Sequence, residues 1–248
     1  MGYFLADETT EALRVEPSVC QVTRVNLAIE PSPVSWESEN ADAIARHWVH
    51  AVAEKPSLFN GQIYVATDVE FAGDAFSGRA HPMRFAALTL WRHLGMPPVG
   101  FHSIFGDIIL RGSDGGLIMA RTSAHTATGG MLGFPGGTFD DNDVKDGALN
   151  PLTCILRECE EETGWRPDEL TLDSRYLVYA DQSRIAFTLV ADMGVSATVG
   201  AERIRQTLRD QDQPELAAIF VAQGPSDLDR IGPHPYSHLL ANWIFSHA

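Results

Sequence analysis

The sequence predicts an α/β (α+β) protein: a mixed sheet covered by helices on both faces, preceded by a smaller α+β N-terminal domain. Three observations carry that expectation. Strand-like runs stand before and after isolated helical patterns, as layered α/β architectures require. The run Gly95-Met96-Pro97-Pro98-Val99-Gly100 is the clearest break in the chain and divides it into residues 1–99 and 100–248. One helix, at residues 151–163, carries a start signal and a stop signal at its two ends.

Residues 1 to about 39 read as irregular or strand-rich, and EPSPVSWESEN, with two prolines and three serines, as a loop. A helix is expected over residues 40–54, where Ile44, Trp48, Val49 and Val52 recur at helical spacing until Lys55-Pro56 ends the pattern. QIYVAT, residues 62–67, is β-rich, and a second helix covers residues 83–94. Beyond the break, FHSIFGDIIL and LIMART flank a GSDGG turn and predict a hairpin, and MLGFPGG is a short strand running into glycines. After the helix at 151–163, YLVYA and IAFTLVADM are strands joined by a turn at residues 181–184. A helix over 201–209, the strand LAAIFVAQ and an amphipathic helix over 236–246 close the chain.

The 248 residues are 44% hydrophobic, enough for one large core or two small ones. A formal net charge of −15 disfavours nucleic acid and anionic membrane as partners, yet leaves room for a small anion whose charge a bound cation offsets. Cys20, Cys154 and Cys159 are odd in number and form no CxxC, which argues against a disulfide scaffold and for a reducing, cytoplasmic location. The N-terminus lacks the basic and apolar regions of a secretory signal, and LAAIFVA is too short to cross a bilayer.

RECEEETGW, residues 157–165, crowds its charge onto one short segment. Asn150 suits the N-cap of this helix, Pro151 its first turn and Gly164 the position past its end. Leu152, Ile155, Leu156 and Cys159 share an apolar stripe that faces the core. Glu158, Glu161 and Glu162, at i, i+3 and i+4, converge on one arc beside it, while Glu160 points to solvent. Exposed like charges at this spacing cost about 0.2–0.5 kcal/mol per pair. Near partly buried surface, ~6 Å apart at an effective dielectric of about 20, they cost roughly 3 kcal/mol. Either the segment is a solvated glutamate-rich face or a divalent cation relieves the repulsion. Mg²⁺ takes one or two carboxylates and completes its shell with water and phosphate oxygens.

Gly136-Gly137 followed by Arg157-Glu158-Cys159-x-Glu161-Glu162-x-Gly164-Trp165 resembles the Nudix hydrolase motif, G-x5-E-x7-R-E-U-x-E-E-x-G-U, where U is apolar. The second half matches at every fixed position. The first half departs: Leu149 stands where the motif has a glutamate, and Gly137 precedes Arg157 by 20 positions where the motif needs about 14. Asp140, Asp141, Asp143 and Asp146, in the extra loop, are the candidates to replace the missing acid.

Over residues 100–248 the resemblance implies the Nudix α/β/α sandwich and hydrolysis of a nucleoside diphosphate linked to another moiety. It implies that Glu158, Glu161 and Glu162 hold Mg²⁺ or Mn²⁺, that Arg157 orients them, and that the Gly136-Gly137 backbone approaches metal or phosphate. Glu215, at the start of a late strand, is the candidate for a further ligand or base. KPSLFNGQIYV, residues 55–65, together with the long insertion, is similar to the subgroup that hydrolyses UDP-glucose and UDP-galactose. The expected substrate is therefore a UDP-sugar, cleaved to UMP and sugar 1-phosphate. ADP-ribose, a coenzyme A ester, or a silent nucleotide-binding module are the alternatives. His102, His125 and the histidines of GPHPYSH read as isolated side chains, and Trp36, Trp48 and Trp91 as core.

Overall fold

The computed structural model describes residues 17–247. In chain order the strands are β1 (Ser18–Val22), β2 (Arg24–Ile29), β3 (Gln62–Ala72), β4 (Ala75–Arg84), β5 (His102–Arg111), β6 (Leu117–Thr122), β7 (Leu132–Gly133), β8 (Gly136–Thr138), β9 (Val144–Lys145), β10 (Ala148–Leu149), β11 (Thr171–Ala180), β12 (Arg184–Asp192) and β13 (Leu216–Ala222). The helices are α1 (Ser35–Glu39), α2 (Ala41–Glu54), α3 (Phe85–His93), α4 (Pro151–Thr163), α5 (Ala197–Asp210), α6 (Pro225–Ile231) and α7 (Pro235–His247).

The sheet is mixed, as predicted. Its long path runs β1-β11-β12-β5-β3-β4-β2-β10-β9, with β5 and β12 parallel, β2 and β4 parallel, and the other pairs antiparallel. Strands from before and after residue 100 hydrogen-bond within it: Val65 of β3 pairs with Ser103 of β5, and Leu27 of β2 with Leu149 of β10. The alternation of β5 explains the layers. Ile104 and Ile108 point into a core closed by Ile155 and Cys159 of α4 and Ile204 of α5. Phe105 and Ile109 point the other way, toward Leu228 of α6 and Tyr236 and Leu240 of α7. A third core gathers Trp36, Ile44 and Trp91 of the N-terminal helices over Ile63 and Val65 of β3.

Two local expectations change. The hairpin of β5 and β6 closes with a single pair, Arg111 with Leu117, after which β6 leaves to pair with β13. β8 takes the vacated edge of β5, setting Gly137 against Gly106 and Gly136 against Asp107. A side chain at Gly136 would sit 2.2 Å from the Gly106 carbonyl oxygen, so glycine permits the close approach. Within EPSPVSWESEN, the expected loop contains α1, because burial of Trp36 stabilises a short helical turn after the prolines.

Candidate active site

Helix α4 has the bounds its caps dictate. The Asn150 side chain accepts from Thr153 N–H at 3.2 Å, Pro151 opens the first turn, and Gly164 ends the helix in the left-handed region at φ 72°. Ile155 and Cys159 are fully buried, Leu152 packs against them, and Glu160 is exposed. That orientation turns Glu158, Glu161 and Glu162 into a cleft of about 1080 Å³. Glu215, just ahead of β13, and the Gly136-Gly137 backbone of β8 line the same cleft.

The three glutamates are held differently. Glu162 is buried, and one of its oxygens accepts from Gly136 N–H at 2.8 Å. Glu158 has a side chain only 14% exposed and accepts from Arg157 Nη1 at 2.9 Å. Glu161 is 60% exposed and accepts from the same nitrogen at 3.3 Å. A Cβ on Gly137 would stand 2.2 Å from Glu158 Oε1, so the glycine makes room for that carboxylate.

Burial pushes the Glu158 carboxyl up to about 7, with Glu161 and Glu215 adding repulsion and Arg157 opposing. Glu162 is raised well above the usual range, first by burial and then by Glu158; the Gly136 N–H offsets part of this. Burial works against the Arg157 charge, but Asp143 and Glu158 outweigh it and raise its pKa.

Of the four aspartates in the insertion, Asp143 is the one that meets Arg157. Its buried carboxylate receives Arg157 Nη2 at 3.0 Å and Nε at 3.2 Å. It also accepts from Asp140 N–H, while its carbonyl accepts from Asn150 N–H at 2.9 Å. One residue thus ties the guanidinium, the insertion and the start of α4 together. The other candidates are used elsewhere. Asp140 accepts from Asn142 N–H, and Asp141 from Gln62 and Tyr64, at 2.7 and 2.8 Å. Asp146 sits with Gly147 in the tight turn between β9 and β10, both at positive φ. Leu149 is buried in β10 and faces the core rather than the cleft.

The N-terminal part reaches the same cleft. Ser57 donates to the His125 carbonyl at 2.9 Å and Lys55 to the Thr126 carbonyl at 2.6 Å. Asn60 accepts from Ala86 N–H at 2.8 Å and so caps the first turn of α3; Phe59 is 82% exposed beside the cleft. Trp36 and Trp91 are core, as expected, and Trp48 packs against them. His125 and His234 line the cleft, whereas His238 turns to Asp229 at 3.3 Å. Asp107 was not expected. It is buried in β5 beside Gly136 of β8, receives the Thr188 hydroxyl, and is pushed up to about 7 by burial.

The donors suit a hard divalent cation: all are oxygens, two are desolvated, and the cleft leaves room for water and phosphate. Among the described residues, no three His, Cys, Asp or Glu side chains already close around a common point. Arg157 and the Gly136 N–H instead occupy the carboxylate oxygens.

The family model described as NUDIX domain matches residues 102–222. A search of curated proteins finds no match. Among solved structures the chain is similar to DR0079 from Deinococcus radiodurans at 15% identity, covering 58% of this chain and 83% of that one with a TM-score of 0.42. It is similar to the MutT protein from Methanosarcina mazei Go1 at 16% identity, covering 59% and 94% with a TM-score of 0.38. The NUDIX domain of Shewanella oneidensis NrtR, complexed with ADP ribose, matches at 16% identity over 59% and 87%, with a TM-score of 0.37. The NUDIX match spans β5 to β13, the glutamates of α4 are set into its cleft, and the chain thus carries over residues 102–222 the domain of Nudix-type pyrophosphohydrolases.

Proposed function

We propose that Glu158, Glu161, Glu162 and Glu215 hold Mg²⁺ or Mn²⁺ and that the substrate is a UDP-sugar, hydrolysed to UMP and sugar 1-phosphate. The observation that carries the metal reading is the convergence of these four side chains and the Gly136-Gly137 backbone on one cleft. When bound, the cations supply charge neutralisation of the pyrophosphate and a water of lowered pKa. The protein's own groups do the rest. Arg157, fixed by Asp143, holds Glu158 and Glu161 in register. Glycines at 136 and 137 let β8 lie close against β5 and make room for the Glu158 carboxylate. A carboxylate within reach of the attacking water is suited to accept its proton, and Glu215, which lines the cleft, is the candidate for that role.

Support for a UDP-sugar comes from the segment that prompted it. Ser57, Leu58, Phe59 and Gly61 form part of the cleft, so this segment ahead of residue 100 helps to complete the substrate site. No helix of the described residues is long and apolar enough to cross a membrane, and a cytoplasmic location accords with a nucleotide-sugar substrate.

Purified protein assayed with Mg²⁺ against UDP-glucose, UDP-galactose, ADP-ribose and a coenzyme A ester is expected to release UMP and to stop when the metal is chelated. Turnover of ADP-ribose with UDP-sugars untouched would overturn the nucleotide assignment. Full activity in chelator would overturn the metal.

A further inference from the structure

Three arginines line the cleft, and two have carboxylate partners: Arg157 with Asp143, and Arg184 with Asp181 at 2.7 Å. Arg92 has none. Its guanidinium makes no hydrogen bond or ion pair to any described residue, although it is only partly exposed and the chain carries 33 acids against 18 bases. It stands on the last turn of α3, ahead of the NUDIX match. The neighbouring Trp91 is fully buried and donates to the Pro97 carbonyl at 2.9 Å, which pins that end of the helix. Arg92 is therefore held at the wall of the cleft.

Its surroundings do not favour the charge. Burial pulls Arg92 down to about 10, and the like charge of Arg184 adds to the effect. The end of a helix offers a cation only modest compensation. An anionic ligand offers more, because the planar guanidinium matches phosphate oxygens with paired donors. The cleft thus has an acidic wall on α4 and an unpaired cation on α3.

We propose that Arg92 binds phosphate oxygens of the substrate's diphosphate from the α3 side of the cleft, making the segment ahead of the NUDIX domain part of the substrate site. This rests on the pyrophosphohydrolase reading. The proposal assigns Arg92 to affinity and positioning, and leaves the proton transfers to the carboxylates.

The test compares wild type, Arg92→Ala, Arg92→Lys and a control, Arg46→Ala, at an exposed arginine of α2. Two quantities are read with Mg²⁺ present: KM and kcat for the nucleoside diphosphate derivative that turns over, and affinity for the α,β-methylene analogue of UDP, which cannot be cleaved between its phosphates. Arg92→Ala is expected to raise KM and weaken analogue binding by about 10- to 100-fold, the worth of a charged hydrogen bond. Its kcat should change only a few-fold and its Tm should stay put. Arg92→Lys should recover part of the affinity, and Arg46→Ala should match wild type. An Arg92→Ala protein that binds the analogue as tightly as wild type overturns the proposal, even if hydrolysis is intact. A lowered Tm with unchanged KM overturns it too, by showing a purely structural arginine. Analogue binding that Arg92→Ala weakens, in a wild type that hydrolyses nothing, overturns the hydrolase reading and leaves Arg92 assigned.

Discussion

Helix α4 and the insertion that precedes it build the same wall of the cleft from opposite kinds of sequence signal. The helix is local. Its caps, its apolar stripe and its three inward glutamates all follow from spacing along thirteen residues. The insertion is not. Asp140, Asp141, Asp143 and Asp146 are four similar acids in seven positions, yet each has a different task, and only Asp143 reaches Arg157. The difference teaches that periodicity assigns residues to a face, whereas choosing one acid among neighbours needs the partner that the fold brings to it.

The sharpest way to break the comparison is to remove a helix acid. Glu162→Gln or Glu158→Gln should lower kcat by about 10²–10⁴-fold, the usual worth of a positioned acid–base group, with the fold retained by circular dichroism. Retention of full activity by either variant would make α4 an ordinary glutamate-rich helix.

Next comes the acid of the insertion. Asp143→Ala leaves Arg157 only its Nη1 contacts with Glu158 and Glu161, at a cost of about 1–3 kcal/mol in urea unfolding. Leu149→Glu restores the glutamate of the family motif in sequence but places a charge in the core beside Leu27. It should destabilise by about 2–5 kcal/mol and gain no activity. A gain in turnover from Leu149→Glu would show that the insertion had been assigned to the wrong acid.

Titration gives a smaller and more diagnostic effect. Glutamate titrates near about 4.3 when unfolded. In the folded protein Glu158 is raised to about 7, so the folded state binds the proton more readily over that interval. The contribution of Glu158 to metal-free stability is therefore best below about pH 4.5, falls as pH rises toward 7 and is level above it. Mg²⁺ binding needs the ionised form and has the opposite slope, weakening up to about tenfold per pH unit below 7. Denaturation midpoints and Mg²⁺ titrations from pH 5 to 8 should show both trends, and Glu158→Gln should reduce both slopes, leaving the part that Glu162 and Asp107 contribute.

The smallest effect belongs to the turn of the insertion. Gly147→Ala, at φ 79°, should cost about 1 kcal/mol and leave KM unchanged, because this turn has no part in the cleft. A shift in KM would bring the β9–β10 hairpin into the substrate site.

Most of the strands after residue 100 were legible because their apolar runs are long and bounded by turn residues. β4 was harder to see: FSGRAHPMR is polar, and its strand geometry comes from pairing between β3 and β2. The departure of β6 from β5 was likewise hidden, since nothing in LIMART distinguishes a hairpin partner from a partner of β13.

By itself the sequence determined the bounds of α4 and the arc shared by Glu158, Glu161 and Glu162, because each depends on residues within a turn or two of one another. Tertiary structure decided the rest: which aspartate meets Arg157, that Leu149 is core, and that Ser57–Gly61 and Arg92 face the same cleft as the glutamates. Those features join residues distant in the chain, and only the packing of one mixed sheet against its helices brings them together.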